Sequence, residues 1–116
     1  MKLPNGENAV VDIAKIRDYC LNPNHPEGKH KARVFLDKLG ITRNDADPLR
    51  QLILEGILIA DAIEESSIAY GRRFVADLLI SWTHGVVLCN AVVRTAWIIR
   101  NEEDFPRLTT CFVRKE

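Results

Sequence analysis

The stretch HPEGKHKARVF, residues 25–35, predicts a turn followed by the start of an amphipathic helix. Pro26 and Gly28 interrupt regular structure at the beginning of the stretch. Beyond them, apolar residues recur at the i, i+3, i+4 and i+7 spacing that lines one face of a helix: Ala32, Phe35, Leu36 and Leu39. We therefore expect a helix that packs through this apolar stripe and ends at Gly40, a residue type favoured just beyond a helix.

Lys29, His30 and Lys31 fall in the first turn of this helix. Unpaired backbone amides and the positive end of the helix dipole lie there, so an added positive charge is disfavoured and a neutral imidazole is favoured. Amides and lysines together also suit a phosphate. The alternative is a solvated basic face without a ligand. On a helical wheel His30 lies nearly opposite the apolar stripe, whereas Lys29 borders it.

Two more helices are predicted on either side of this one. Asp12 suits an N-cap for a short first helix that ends at Asn22 and Pro23. Thr42 and Asp45 form a capping box at the start of a third helix. Its apolar residues continue almost all round, which predicts that it is the most buried helix: Leu49, Leu52, Ile53, Leu54, Ile57, Leu58, Ile59 and Ala60.

The pattern changes to strands after residue 62. A weak strand is predicted at 62–68 and a last strand at 107–113. Between them we expect a hairpin whose loop is Thr83, His84 and Gly85. His84 and His25 are expected to be exposed polar residues. Helices followed by strands indicate an α+β fold with three helices packed on a four-stranded antiparallel sheet. We expect one domain over residues 1–116, with a helical part at 9–61 and a β-meander at 62–114.

Composition limits the function. The 116 residues include 16 Lys+Arg and 16 Asp+Glu, so the net charge is zero and disfavours nucleic-acid binding unless basic residues gather on one face. Cys20, Cys89 and Cys111 lack the spacing of a metal site, and we expect buried, reduced thiols and neither metal nor cofactor. The longest apolar run is too short to span a membrane and the first residues lack a signal peptide, which predicts a cytoplasmic protein.

The chain resembles a bacterial domain family numbered 6883 among the domains of unknown function. The resemblance is carried by LPNGENAVVDI at 3–13, RDYCLNP at 17–23, HPEGKHKARVF at 25–35, YGRRFVAD at 70–77, VVRTAW at 92–97 and EDFPRLTTCFV at 103–113. By architecture alone the chain also looks like the barnase-, EndoU-, colicin- and RelE-like ribonuclease toxins. That second resemblance implies metal-independent RNA cleavage and a small antitoxin or immunity protein as a partner.

Cleavage of RNA without a metal needs a base near the 2′-hydroxyl, cations on the phosphate and an acid for the leaving oxygen. The predicted catalytic residues are His30, Lys29, Arg94 and Thr109, and the predicted substrate-binding residues are Lys31, Arg73 and Thr110. Period-two alternation places Trp97 in the core and Arg94 on the opposite face, beside Arg73 and Asp77. The alternative for Arg94 is a salt bridge with Asp77.

A non-catalytic module that binds a protein partner through the open sheet face is the second hypothesis for the function. Zero net charge and an aromatic content of 7% favour it, because nucleic-acid surfaces usually carry a basic field or stacking platforms.

Overall fold

The computed structural model describes residues 1–115, which form a layer of helices on an antiparallel sheet. Helix α1 is Ile13–Lys15 and continues as a π-helical turn, Ile16–Cys20. Helix α2 is Lys29–Leu39, and α3 is Ala46–Gly56. Short 3₁₀ turns are Gly6–Asn8 and Arg43–Asp45. The strands are β1, Ala62–Glu64; β2, Gly71–His84; β3, Val87–Arg100; and β4, Arg107–Val113.

The predicted helix ends are confirmed by their hydrogen bonds. Asp12 Oδ1 accepts from Ala14 N at 3.0 Å and starts α1. Gly40 adopts φ 72 and ends α2, where its amide reaches back to the last turn. The Asp45 carboxylate accepts from the Thr42 amide at 2.8 Å and from the Thr42 hydroxyl at 3.2 Å. These contacts join near neighbours in sequence, which is why the sequence pattern could predict them.

The sheet is a meander in the order β1-β2-β3-β4, and every neighbouring pair is antiparallel. The hairpin loop is shorter than predicted, because Thr83 and His84 remain in β2 and pair with Leu88 and Val87. Gly85 then turns the chain with φ 63, a conformation in which glycine is not strained.

One face of the sheet forms the core and receives the helices. Its strand residues are Phe74, Ala76, Leu78, Val93, Thr95, Trp97, Leu108, Cys111 and Val113. Phe35 and Leu39 of α2 join the same core. Trp97 is 1% exposed, as predicted, and its Nε1 donates to Thr95 Oγ1 at 2.8 Å. The other face, called the open face below, carries Arg94 and Asp77, which are paired across β2 and β3.

Four details differ from the predictions. Helix α3 ends at Gly56, so Leu58 and Ile59 lie in the turn that follows and are exposed, and α3 is not the most buried helix. Helix α3 buries three residues, Ala46, Leu49 and Ile53, and α2 also buries three. Strand β1 stops at Glu64, since pairing with β2 ends there. Leu36 is 52% exposed, although it belongs to the predicted apolar stripe. Cys89 is only partly buried, unlike the other two cysteines.

The N-terminal segment around Val10 pairs with the start of β4. Val10 N donates to Pro106 O and Leu108 N donates to Val10 O, both at 2.9 Å, in a parallel bridge beside β4. Val10 therefore pairs with Arg107 at the start of β4 as an isolated bridge. Within residues 1–115 no helix is long and apolar enough to cross a membrane.

Candidate functional site

A groove of about 700 Å³ lies between the first half of α2 and the loops that precede and follow this helix. Its apolar floor comprises Leu21, Ala32, Leu36 and Ile41, which explains the partial exposure of Leu36. Basic side chains surround this floor: Lys29, His30, Arg33 and Arg43. Pro23, Asn24, Thr42 and Asn44 complete the lining, which within residues 1–115 includes no carboxylate.

The start of α2 is fixed by close contact with the π-helical turn. A Cβ atom at Gly28 would lie 2.0 Å from the Tyr19 carbonyl oxygen, so only glycine allows this approach. His25 Nδ1 accepts hydrogen bonds from the Glu27 and Gly28 amides at 3.0 and 2.9 Å. The His25 ring meets the Tyr19 ring edge-on at 4.8 Å. His25 is thus half-buried and structural rather than the exposed residue predicted from sequence.

His30 and Lys29 are exposed at the rim of the groove, where the first turn of α2 places them. The exposure of His30 agrees with the helical wheel, which places this residue nearly opposite the apolar stripe. Among residues 1–115 no carboxylate forms an ion pair with Lys29 or Arg33. These two cations and the helix N-terminus therefore leave positive charge available to an anion.

Arg43 is held at the opposite wall of the groove by residues of the π-helical turn. Its Nη2 lies 2.8 Å from Asp18 Oδ1, and its Nε donates to Arg17 O at 3.1 Å. Hydrogen bonds from Arg17 and then Arg43 hold the pKa of Asp18 well below its usual range. The Asp18 carboxylate thus stays charged and keeps Arg43 in place.

Lys31 does not line the groove. Its Nζ donates to Tyr19 Oη at 2.6 Å and lies 4.6 Å from the centre of that ring. The substrate-binding role predicted for Lys31 has no support in this position, because the ammonium group is directed at Tyr19.

Arg94 lies on the open face, on the opposite side of the sheet from α2. Its Nε and Nη2 contact the Asp77 carboxylate at 2.9 and 3.1 Å, and Arg114 Nη1 contacts the same group at 3.0 Å. The hydrogen bond from Arg94, assisted by Arg114, lowers the pKa of Asp77. The salt bridge that was the alternative for Arg94 is present, and the sheet lies between Arg94 and α2, so the structure does not bring Arg94 and His30 together.

The other predicted site residues also lie outside the groove. Arg73 Nε and Nη2 donate to Ser66 O at 3.2 and 3.1 Å. Thr109 lies at the irregularity where the β3–β4 register shifts, and its Oγ1 donates to Ala96 O at 3.1 Å. Thr110 Oγ1 lies 3.8 Å from Cys20 Sγ. Each of these side chains thus has a polar partner within the protein.

The sequence reasoning missed Arg33 and Arg43. Arg33 follows Lys29 by four residues, so helical periodicity could have placed the two side by side. Arg43 reaches the groove only because the chain reverses after Gly40, and no local pattern indicates that contact. A second groove lies further along α2 and is bordered by Asp37, Lys38 and the end of β4.

Cys20 and Cys111 form a buried thiol pair between the π-helical turn and β4. Contact with Cys111 lowers the pKa of Cys20, whereas contact with Cys20 and burial raise the pKa of Cys111. Both residues are fully buried and free, so neither meets a solvent-borne substrate. Among residues 1–115 no group of three His, Cys, Asp or Glu side chains is arranged to hold a metal ion.

Residues 2–115 match the model of the family described as Domain of unknown function (DUF6883), and the chain belongs to that family. No curated protein and no solved structure is significantly similar to the chain.

Proposed function

We propose that this member of the family binds RNA in the groove at the start of α2 and cleaves it as a metal-independent ribonuclease toxin. The observation that carries the proposal is the collection of four basic side chains at one groove whose described lining has no carboxylate. Such a lining attracts a phosphate and repels a metal cation.

The groove suits a nucleotide better than an isolated phosphate. Lys29, Arg33 and Arg43 supply charge at the rim, and guanidinium groups can bind a phosphate through two hydrogen bonds. Leu21, Leu36 and Ile41 supply an apolar floor that can receive a ribose or a base. Binding of a nucleotide would also give a role to Lys29 and Arg33, which form no ion pair within residues 1–115.

In the proposed reaction His30 accepts the proton of the ribose 2′-hydroxyl as that oxygen attacks the neighbouring phosphorus. A 2′-oxygen–phosphorus bond forms and the bond from phosphorus to the 5′-oxygen breaks. Lys29 donates a proton to the departing 5′-oxygen, and Arg33 and Arg43 stabilise the charge on the phosphoryl oxygens. The products are a 2′,3′-cyclic phosphate and a 5′-hydroxyl end.

The test is cleavage of a mixed RNA pool in the presence of a chelator by the purified chain. We expect His30→Ala to lower the rate by about 10² to 10⁴-fold through loss of proton transfer, with an unchanged melting temperature. His84→Ala is the matched control, because His84 is exposed and lies outside the groove. Cleavage lost in Arg94→Ala but retained in His30→Ala would instead move the site to the open face.

We also propose a protein partner for the open face, such as a small antitoxin or immunity protein. Leu79 is 75% exposed there, opposite its cross-strand partner Val92 and next to the Arg94–Asp77–Arg114 cluster. One carboxylate against two guanidinium groups leaves a positive centre, so the partner surface should be apolar with an acidic residue. If RNA is never cleaved, this interaction module becomes the better account of the chain.

Co-purification with the product of the neighbouring gene tests the partner. Leu79→Glu should abolish the complex and leave RNA cleavage unchanged, since Leu79 lies across the sheet from the groove. Ile59→Glu is the matched control, because Ile59 is 79% exposed but lies outside the sheet. Equal loss of the complex in both variants would argue against a specific open-face interface.

A further inference from the structure

A second groove, of about 540 Å³, lies on the other side of α2, against the first half of β3 and the end of β4. Its α2 residues are Arg33, Val34, Asp37 and Lys38, and its strand-side residues are Asn90, Ala91, Val92, Val113, Arg114 and Lys115. The lining thus carries four basic side chains, of which Arg114 is paired with Asp77, and one carboxylate, Asp37. Val34, Ala91, Val92 and Val113 provide an apolar part, as the floor does in the first groove.

Arg33 lines both grooves. It stands one turn beyond Lys29 and one turn before Asp37 on the exposed side of α2, so its guanidinium lies at the ridge that separates the two depressions. Among residues 1–115 it forms no ion pair. The positive rim of the first groove therefore continues over the helix into the second groove.

We propose that the two grooves form one track for single-stranded RNA, which crosses α2 at Arg33. The identity of the ligand rests on the function proposed above, whereas the path rests on the two grooves and their shared arginine. Lys29 and Lys38 are nine residues apart on α2, a distance of about 13 Å along the axis. This exceeds the reach of one phosphate contact, so the preferred ligand is a chain of several nucleotides.

A single strand fits this surface better than a duplex does. The path descends into one groove, crosses a ridge and descends again, which requires a flexible backbone. Apolar floors on both sides can receive unstacked bases, and a paired helix keeps its bases stacked inside. Within residues 1–115 the lining of the two grooves includes no Phe, Tyr or Trp side chain, so charge and apolar contact supply most of the affinity.

The test is the binding of 2′-O-methyl RNA, which lacks the nucleophilic hydroxyl and cannot be cleaved, measured by fluorescence anisotropy. We expect an eight-nucleotide strand to bind at least about tenfold more tightly than a two-nucleotide strand, because additional phosphate contacts release more counterions. Lys38→Glu combined with Lys115→Glu should remove this gain and reduce the salt dependence of binding. Lys15→Glu is the control, since Lys15 is exposed and lines neither groove.

Equal binding of the two strands, or a length gain that survives the double change at Lys38 and Lys115, would overturn the track. Absence of binding to either strand would overturn it as well. The cleavage assay fails independently: a chain that cuts a dinucleotide and long RNA equally keeps the proposed function and loses the track. Length-dependent binding without any cleavage keeps the track and overturns the ribonuclease.

Discussion

The groove and the open face use basic residues in opposite ways. On the open face Arg94 and Arg114 both contact Asp77, so one carboxylate neutralises part of their positive charge. At the groove Lys29 and Arg33 form no ion pair with any carboxylate of residues 1–115. The chain has no net charge, yet it places two unpaired cations together at the groove, opposite Arg43, which is paired with Asp18.

This difference shows why a basic residue in a sequence is weak evidence of a binding site. Arg94 pairs with Asp77 because a cross-strand neighbour lies opposite it in the register. On α2, Lys29 lies four residues before Arg33 and Asp37 four residues after it, and within residues 1–115 Arg33 forms no ion pair with Asp37. The availability of a charge therefore depends on its neighbours in the fold, and this distinction is what the following variants test.

The largest expected effect comes from removing the contact that holds α2 on the sheet. Phe35 is fully buried, and Phe35→Ala should lower the free energy of unfolding by about 3 to 5 kcal/mol, through lost burial and a cavity. Leu36→Ala on the same helix should cost about 1 kcal/mol or less, because Leu36 is half exposed in the groove. Urea unfolding measures both. Similar values for the two variants would show that α2 does not dock through Phe35.

A smaller effect is expected from the hydrogen-bond relay on the core face. Thr95 Oγ1 donates to Ala76 O at 2.7 Å and accepts from Trp97 Nε1. Thr95→Val should cost about 1 to 3 kcal/mol, since the Trp97 N–H would be left buried without an acceptor. Thr109→Val is the matched control and should cost less than about 1 kcal/mol, because Thr109 is exposed. A near-equal loss in thermal melts would mean that Trp97 finds another acceptor.

The smallest effect concerns the open-face ion cluster and depends on pH. Arg94 and then Arg114 lower the folded-state pKa of Asp77, so its contribution to stability is present above the unfolded pKa of about 3.9 and is lost as the pH falls. Asp77→Asn should therefore cost about 1 kcal/mol or less at pH 7 and almost nothing well below pH 3. Urea midpoints of parent and variant at the two pH values measure this. A difference that persists in acid would show that Asp77 acts by packing.

The elements that the sequence predicted well are those set by near neighbours. Gly40 ends α2 and Thr42 pairs with Asp45 because these interactions span a few residues. The alternation around Trp97 placed Arg94 on the opposite face and named its partner Asp77. The α+β order of helices and strands followed from the change in apolar periodicity.

The site was harder to predict because it depends on how the layers meet. The helical wheel predicted that His30 lies away from the sheet. The groove also includes Arg43, which lies near α2 only because the chain reverses after this helix. Leu36 matches the period of the core stripe and still lies at the groove floor, since period alone does not show where the partner layer ends. Similarly, the apolar residues after Gly56 suggested more helix, whereas the chain leaves α3 there.

The bridge between Val10 and β4 has a consequence for the order in which the chain can fold. Val10 and Leu108 are joined by a backbone hydrogen bond, so this contact forms only after the 97 residues between them have been synthesised. The meander strands are sequential neighbours and close short loops, which cost less conformational entropy. We therefore expect the β2–β3 hairpin to form first on the ribosome and the segment around Val10 to dock only after β4 has emerged.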